Sequence, residues 1–234
     1  MVKNILKSAL SKLGFVVYRK QPWMDNFRWL EKHQIKTVLD IGANEGLFAL
    51  EYAKILPEAT IYSFEPIQAV YERLKSRTSG LNVKVFNYGL GDVSGTLKIN
   101  VNQFSPSSSI LELSSIHKEN YGFAVKSTEE EISIKRLDEE FAVSDFEKNL
   151  LVKIDVQGFE DKVLNGAGNI LANTRVVYLE MTFRELYSGQ KLFHDLYTRL
   201  YELGFDYQGS MSQNYDVHDG SVLYEDAVFV NRKT

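Results

Sequence analysis

Acidic side chains follow apolar segments of the sequence at the points where strands are predicted to end. Asp155 follows Leu150–Ile154, and Glu180 ends the predicted strand after it. The carboxyl ends of parallel strands meet at one edge of a sheet, so we expect both carboxylates in a shared cleft. A carboxylate there can bind or deprotonate a hydroxyl group. The alternatives are a helix cap or a ligand-orienting role for Asp155 and a solvated strand end for Glu180.

A glycine turn joins the first predicted strand to the helix after it. Gly42 allows a sharp turn and close approach of the backbone to a ligand, and Gly46 leaves room where the helix begins. The G-x-x-x-G spacing differs from the G-x-G-x-x-G of dinucleotide-binding folds, and no Lys follows to hold phosphates. The loop, which includes Asn44, therefore predicts a ligand without a diphosphate, with Asp40 as a candidate partner for an ammonium group.

The ends of the second and third predicted strands are expected to bind a nucleoside. Glu65 lies where an acid usually binds the two ribose hydroxyls, and Pro66 after it can begin the next helix. The turn after the third strand, with Leu90 and Asp92, would border the base. Gly91 and Asp92 also fit an ordinary turn.

Four polar residues lie in loops that are predicted to overhang the cleft, beside the place for a second, hydroxyl-bearing ligand, which we call the acceptor. His117 lies in a Ser-rich segment over residues 103–128, and His218 precedes the last strand; histidine is a natural base near neutral pH. Ser108 and Ser109 can hydrogen-bond a polyhydroxy acceptor or the nucleoside ligand, or they belong to a flexible polar loop. We take the histidines as candidates for catalysis and the serines as candidates for acceptor binding.

A metal site has only weak support in the sequence. Asp155, Glu160 and Glu180 could supply oxygen ligands for Mg²⁺, but they come from different elements, and we predict no metal. Glu160 stands in the first turn of a helix, where the helix dipole favours an acid, and it is also a candidate for acceptor binding. The absence of cysteine excludes disulfides, thiolate metal sites and a cysteine nucleophile.

Strand-like and helix-like segments alternate along most of the chain. Strands are predicted at 37–41, 60–64, 83–86, 150–154 and 176–181, with helices at 45–56, from 66, from 159 to 171 and over 192–203. This alternation indicates an α/β fold with a mostly parallel sheet and helices on both faces. The final strands, 205–208 and 227–231, have no helix between them and fit an antiparallel hairpin at the sheet edge.

The pattern changes over residues 94–135. Leu97, Ile99 and Val101 alternate with polar residues, as do Ile132 and Ile134, which is typical of half-exposed antiparallel strands. The Ser-rich loop between them is longer than most connections. We therefore predict a small insertion that acts as a lid or binding loop.

The N-terminal segment is basic and amphipathic. Residues 1–20 contain five Lys and Arg and no acid, with apolar residues at helical spacing, and a further helix is predicted over 23–33. The segment fits either a capping helix packed on the main domain or a helix that contacts an anionic membrane or a partner. We divide the chain into an extension, 1–34, and a ligand-binding domain, 35–234.

Composition excludes several classes of protein. The 234 residues contain 27 Lys and Arg against 31 Asp and Glu, a net charge of −4, so a general nucleic-acid binder is disfavoured. No apolar run reaches the ~18 residues of a membrane span. We predict a cytoplasmic protein, with peripheral contact at the inner membrane surface if the basic segment binds lipid.

Three segments together resemble one known family. They are Asp40–Gly46 (DIGANEG), Phe64–Pro66 (FEP) and Lys153–Glu160 (KIDVQGFE), which keep that order within roughly residues 36–231. The first alone would indicate only the class I methyltransferases. With the more specific third segment, the chain resembles the FkbM family of S-adenosylmethionine-dependent methyltransferases. In that family this segment often reads Asp-Val-Glu-Gly, whereas this chain has Gln157, which puts in doubt any role for a charge there.

The resemblance implies a fold, a cofactor and a reaction. The fold is that of class I methyltransferases, with a seven-stranded, mostly parallel sheet whose last strand is antiparallel. The cofactor is S-adenosylmethionine, held on the loop Asp40–Gly46 with its ribose on Glu65, and the product is S-adenosylhomocysteine. The reaction is mostly O-methylation, commonly of hydroxyls on sugars or natural products.

Two other readings of the function stay open from the sequence. The protein could be an N-methyltransferase that acts on an amino sugar, or a non-catalytic module that keeps the fold and binds S-adenosylmethionine. The expected partner in every case is a small-molecule or glycan ligand, and the sequence does not specify an oligomeric state.

Overall fold

Strands and helices alternate in the computed structural model, which describes residues 29–102, 108–121 and 127–233. The strands are β1 (Thr37–Ile41), β2 (Thr60–Phe64), β3 (Val83–Phe86), β4 (Gly89–Leu90), β5 (Gly95–Asn102), β6 (Ser127–Lys135), β7 (Leu150–Ile154), β8 (Thr174–Thr182), β9 (Phe205–Tyr215) and β10 (Val222–Asn231). The helices are α1 (Leu47–Ile55), α2 (Gln68–Arg77), α3 (Ser115–Asn120), α4 (Leu137–Glu140), α5 (Glu160–Gly166), α6 (Gly168–Ala172) and α7 (Phe193–Leu203).

Seven of these strands form the central sheet, in the order β3-β2-β1-β7-β8-β10-β9. The pairs from β3 to β8 are parallel, and β10 is antiparallel to both of its neighbours. The predicted sheet, with an antiparallel last strand and a terminal hairpin, is therefore confirmed. The strand order reverses between β1 and β7, where ligands bind in open α/β sheets.

Both faces of the sheet are covered, which explains the continuous apolar sequence of its central strands. Every residue of β1 and β7 is buried. Alternate side chains pack on opposite faces of the sheet. Leu39 and Ile41 belong to the apolar core on one face, and Val38 belongs to the apolar core on the other. Strands with two buried faces have no polar side to show, so the helices predicted on both faces are confirmed.

A second, three-stranded sheet, in the order β4-β6-β5, takes two of its strands, β5 and β6, from the predicted insertion. The strands β5 and β6 are antiparallel, as their alternating pattern predicts. Ile99, Ile132 and Ile134 turn their side chains to Ile67 and Val70, so this sheet is attached to the main domain beside α2. Between the two strands, α3 occupies part of the segment that was predicted as a loop.

The predicted helix over 159–171 is in fact two helices that meet at Ala167. Gly166 lies so close to the backbone of Gly91 that an added Cβ would be 1.9 Å from the Gly91 carbonyl oxygen. Gly168 follows on the other side of the break, and glycine is a poor helix former. The close contact and the two glycines explain why the helix is interrupted, although the apolar periodicity predicts a single helix over 159–171.

The ends of the chain differ from the predictions in length. The final strands extend well beyond 205–208 and 227–231, and of the helix predicted over 23–33 the structure describes residues 29–33, as a 3₁₀ turn. The basic segment over residues 1–20 lies outside the described residues, so its proposed contacts stay a prediction. Within the described ranges, none of the helices combines the length and apolarity needed to cross a membrane.

Candidate active site

A cavity of about 280 Å³ opens at the carboxyl ends of β1 and β7, where the strand order reverses. The structure brings nine of the predicted site residues to its wall. On the glycine-loop side these are Gly42, Asn44, Glu65, Pro66 and Leu90, and on the opposite side they are Ser108, His117, Asp155 and Glu180. The isoleucines of the second sheet form an apolar wall between the two groups.

The glycine loop takes its shape from one close approach. Gly42 has φ 77°, and a Cβ there would lie 1.9 Å from the carbonyl oxygen of Asp155. Gly42 and Ala43 both donate their N–H groups to the carbonyl of Phe64, which ties the loop to the end of β2. Only glycine fits this position, so backbone atoms form the floor of the cavity. Gly46 does not line the cavity; it caps α1 with φ 80° and packs against α2.

Glu65 faces the cavity with both carboxylate oxygens held in place. Its Oε1 accepts the N–H of Ile67 at 2.8 Å, and its Oε2 accepts the N–H of Asn44 at 3.0 Å. Burial raises the pKa of Glu65 to about 7, although these two hydrogen bonds and Lys153 oppose the shift. Each oxygen keeps a lone pair for a further donor, which is what two ribose hydroxyls require.

Asp40 lies behind the cavity wall, where its carboxylate is fully buried. Its Oδ1 lies 3.2 Å from Nζ of Lys153, and its Oδ2 accepts the hydroxyl of Ser63. Lys153 also donates to the carbonyls of Ile41 and Gly42. Asp40 therefore has no surface to offer the ammonium group for which the sequence proposed it, because Lys153 already occupies its carboxylate.

Lys153 is a functional candidate that the sequence analysis missed. Burial by itself would lower the pKa of Lys153, but attraction to Asp40 and Asp155 outweighs burial and holds the pKa above its ordinary value. Its Nζ also lies 3.8 Å from Oδ2 of Asp155. One buried ammonium thus joins Asp40, the glycine loop and Asp155.

The predicted contacts to the base of a nucleoside are only partly brought together. Leu90 is buried and lines the cavity. Asp92 does not line it, because its carboxylate forms an ion pair with Lys162 at 3.3 Å. The structure therefore leaves Leu90 and the apolar wall, with Pro66, as the surface for a base.

Asp155, Glu180 and Gln157 form one hydrogen-bonded group at the far side of the cavity. The Nε2 of Gln157 donates to Oδ1 of Asp155 at 2.7 Å and to Oε1 of Glu180 at 3.3 Å. Burial, with Asp155 and Glu160 nearby, raises the pKa of Glu180 well above its ordinary range. Gln157 thus keeps two acids close together without adding a third charge.

His117 lies on α3 and lines the cavity with only 3% of its surface exposed. The helix is capped by Ser114, whose Oγ accepts the N–H of His117 and donates to the carbonyl of Glu185. Burial lowers the pKa of His117, partly opposed by its own backbone carbonyl. The ring is therefore neutral at pH 7, as a general base must be.

Three other predicted residues lie outside the cavity. Ser109 is buried and donates its hydroxyl to the carbonyl of Gln157 at 2.6 Å, which ties the insertion to the loop after β7. Glu160 accepts the N–H groups of Val156 and Gly158, so it stabilises that same loop. His218 is exposed in the β9–β10 turn, away from the cavity. In the described part of the chain, no cluster of His, Asp and Glu is arranged to hold a metal ion.

Known proteins resemble this chain in sequence. It is 27% identical over 160 residues to the 2-O-methyltransferase NoeI of Sinorhizobium fredii, a match covering 65% of this chain and 66% of NoeI. It is 30% identical over 158 residues to the hexuronic acid methyltransferase AglP of Haloferax volcanii, covering 65% of this chain and 59% of AglP. The matched region thus spans less than two thirds of either relative.

Structure and family comparisons agree with these relatives. The crystal structure of the methyltransferase FkbM from Methylobacillus flagellatus matches with a TM-score of 0.53, covering 84% of this chain and 44% of that one. At 12% identity this likeness shows the fold alone. A profile described as the methyltransferase FkbM domain matches residues 40–207, which is most of the chain. This protein therefore belongs to the FkbM methyltransferase family.

Proposed function

We propose that this protein is an S-adenosylmethionine-dependent O-methyltransferase whose acceptor is a sugar hydroxyl in a glycan, a glycolipid or a small metabolite. The observation that carries the proposal is the placement of Gly42 and Glu65 on one side of a cavity whose other side holds His117 and Glu180. Residues 35–234 would form the catalytic domain, which acts in the cytoplasm.

The residues on the glycine-loop side fit the cofactor. Glu65 offers two fixed carboxylate oxygens to the ribose, and the backbone at Gly42 lets the amino-acid portion approach closely. Asp155 lies next to that loop with its carboxylate partly exposed. It would therefore bind the ammonium group of the cofactor's amino-acid portion, which Asp40 cannot reach. Pro66, Leu90 and the apolar wall would hold the base.

Bound S-adenosylmethionine supplies a methyl group, which passes to the acceptor oxygen as the S–C bond breaks and its electron pair stays on sulfur, giving S-adenosylhomocysteine. His117 accepts the proton that the acceptor hydroxyl loses, because its ring is neutral and faces the cavity. Burial and the neighbouring acids raise the pKa of Glu180 well above its ordinary range, which favours the protonated carboxyl, and that form can donate a hydrogen bond that orients the acceptor. Both roles are performed by side chains on the side opposite the glycine loop.

The named relatives support a sugar acceptor. NoeI is described as a 2-O-methyltransferase and AglP as a hexuronic acid methyltransferase. The cavity agrees, because hydroxyl, carboxyl and imidazole groups share its acceptor side with Tyr121, Tyr187 and Tyr224. Aromatic rings with polar tips suit a ligand that is apolar on its faces and polar at its edges, as sugars are.

The test is methyl transfer from labelled S-adenosylmethionine to a panel of sugars and glycolipids. We expect label on a sugar hydroxyl, and we expect His117→Gln to slow transfer by about 10²- to 10⁴-fold, the usual contribution of a general base. The matched control is His194→Gln, at an exposed position on α7. Label on an amino group would favour the N-methyltransferase, and equal losses in both variants would contradict the role of His117.

A further inference from the structure

Gln157 has a backbone conformation that residues with a side chain rarely adopt. Its φ is 56°, in the left-handed region, where glycine fits without strain and a residue with a Cβ does not. Strained residues of this kind persist where their surroundings fix them, and they cluster at sites that bind or react. Gln157 lines the cavity, so we expect its side chain to have a function there.

The shape of the turn does not depend on that side chain. The carbonyl of Gln157 accepts the hydroxyl of Ser109 at 2.6 Å. The carboxylate of Glu160 accepts the N–H groups of Val156 and Gly158, at 3.1 and 3.2 Å. All three hydrogen bonds use the backbone of the turn, so a glycine in place of Gln157 would keep them.

The side chain of Gln157 instead connects three groups around the cavity. Its Nε2 donates to Oδ1 of Asp155 at 2.7 Å and to Oε1 of Glu180 at 3.3 Å. Its Oε1 accepts the hydroxyl of Tyr187, which is 1% exposed. One amide thus supplies two donors and one acceptor without carrying a charge, which a carboxyl group cannot do.

The amide is the close donor to Asp155. Lys153 approaches Oδ2 of Asp155 only to 3.8 Å, which is too long for a hydrogen bond, so their ion pair does not fix the direction of the carboxylate. Glu180 comes from the neighbouring strand β8, and the amide spans the gap between the two strands. The relative placement of the two acids therefore depends on Gln157.

We propose that Gln157 is a positioning residue, whose neutral amide holds Asp155 and Glu180 in one arrangement and so aligns the acceptor oxygen with the methyl group. The inference rests on the proposed function, in which Asp155 binds the ammonium group of the cofactor and Glu180 orients the acceptor. Gln157 takes no part in the transfer of the methyl group or of the proton. Such a reaction is sensitive to alignment, and a misplacement of about 1 Å can slow it by about 10²-fold.

Gln157→Glu tests whether the amide must be neutral, because it keeps the length of the side chain. The introduced carboxyl lies beside two acids, so its pKa is raised. Below that pKa it is protonated and can donate one hydrogen bond, whereas above it a third negative charge repels Asp155 and Glu180. We therefore expect the ratio of kcat in the variant to kcat in the wild type to fall by about tenfold between about pH 6 and about pH 8.

Other groups that titrate or carry charge lie around the amide, and they are the same in both proteins. They are Lys153, Glu160, Tyr187, Tyr224, Asp226 and His117. Because the ratio of kcat values cancels their contributions, a slope in it reports the introduced carboxyl. A residue that only stabilised the fold would change the unfolding temperature and leave the ratio constant, since kcat is measured on folded enzyme.

Gln157→Gly removes the amide together with the backbone strain, and Asn149→Gly is its matched control. Asn149 also has a left-handed backbone, with φ 61°, at the other end of β7, and its amide donates to the carbonyl of Gln34 at 3.2 Å. We expect both variants to unfold near the temperature of the wild type. Only Gln157→Gly should lose activity, with kcat lowered by about tenfold or more.

Calorimetry with S-adenosylhomocysteine gives a readout that needs no acceptor. Gln157→Gly should bind it about two- to tenfold more weakly, the effect of one poorly placed hydrogen bond, whereas Asn149→Gly should bind it as the wild type does. Tyr187→Phe removes the donor that fixes the rotation of the amide, and it should lower kcat by a smaller factor than Gln157→Gly. Tyr207→Phe is the matched control, because it removes one tyrosine hydrogen bond, to Glu225, outside the cavity.

Four results would overturn the proposal: a constant ratio of kcat values for Gln157→Glu across this pH range, a wild-type kcat in Gln157→Gly, a wild-type affinity of Gln157→Gly for S-adenosylhomocysteine, or equal kcat values in Tyr187→Phe and Tyr207→Phe. Should Gln157→Glu fail to fold, Gln157→Gly carries the test, since the turn keeps its backbone hydrogen bonds. Absence of S-adenosylmethionine binding to the wild type would instead contradict the proposed function, and calorimetry detects that separately.

Discussion

At the scale of single residues, Lys153 and Asp40 connect the two strands on either side of the reversal in strand order. They are paired in the register of β1 and β7, and each is the penultimate residue of a buried strand. The sequence held a signal for this pair, since Lys and Asp are almost never fully buried without a partner. The signal was missed because only the adjacency of the two strands shows that these charges meet.

Lys153→Met should lower the free energy of unfolding by about 3–5 kcal/mol, because it leaves the Asp40 carboxylate buried without its partner. Both side chains are almost completely buried, so solvent screening does not reduce the effect. Urea denaturation measures the change, and the double variant Lys153→Met/Asp40→Asn should recover part of it. A single variant as stable as the wild type would show that the pair contributes nothing to the fold.

Glu65 should make cofactor affinity depend on pH. Its pKa lies near 7, and the ionised carboxylate accepts from both ribose hydroxyls, whereas the protonated form loses one accepting site. Since the pKa is raised, the carboxylate is mostly protonated below this value and binding should strengthen as pH rises through it. We expect about a tenfold gain in affinity for S-adenosylhomocysteine between about pH 6 and about pH 8.

Calorimetry of the Glu65→Gln variant is the control for this titration, because Gln cannot ionise and reports the ligand's own pH dependence. Lys153 and Asp40 also influence the pKa of Glu65, in opposite directions, but both remain in the variant. Parallel pH profiles for wild type and variant would argue against a ribose contact at Glu65.

At the scale of elements, the turn between β1 and α1 should tolerate no side chain at Gly42. Gly42→Ala places a Cβ against the Asp155 carbonyl, so the ends of β1 and β7 must separate and cofactor binding should be lost. Gly80→Ala is the matched control, with φ 81° and no atom within 4 Å of the added Cβ. The control should lower the free energy of unfolding by only the ~1–2 kcal/mol that a left-handed backbone conformation costs a residue with a Cβ, and it should still bind the cofactor. Similar losses of binding in the two variants would contradict the argument from the close approach at Gly42.

The sequence predicted some elements far better than others. The strands of the central sheet are continuous apolar runs, so β1, β2 and β7 have the predicted bounds. The helix α3 was not predicted, because its six residues are held by contacts from distant segments, such as Ser114 to Glu185. Short elements of this kind depend on tertiary contacts more than on local pattern.

The same distinction separates the two halves of the candidate site. Gly42, Glu65 and Leu90 could be placed from the sequence, because each lies beyond the carboxyl end of one of the parallel strands β1, β2 and β3. The acceptor side depends on pairs that are far apart in the chain, such as Tyr187 with Gln157 and His117. No spacing in the sequence brings these residues together.

At the scale of the whole molecule, the charge of the cavity should select its acceptor. The described residues that line it include Asp155 and Glu180 but no Lys or Arg. The raised pKa of Glu180 indicates that another negative charge is unfavourable there. We therefore expect a neutral hexose to be methylated with kcat/KM about tenfold or more above that of the corresponding uronic acid, a difference of ~1.4 kcal/mol.

Competition between a methyl hexoside and its uronic acid measures this preference. The methyl ester of the uronic acid is the control, because it has similar size without the charge and should behave like the neutral sugar. Preferential methylation of the free acid would contradict this expectation and leave the rest of the site intact.

The measurement that tests the central claim most directly is calorimetric titration of the purified protein with S-adenosylmethionine, beside the Glu65→Ala variant. We expect binding in the micromolar range, about −8 kcal/mol, that is lost in the variant while Tyr207→Phe binds as the wild type does. A folded wild-type protein that binds no S-adenosylmethionine would contradict the account and favour a non-catalytic role for this cavity.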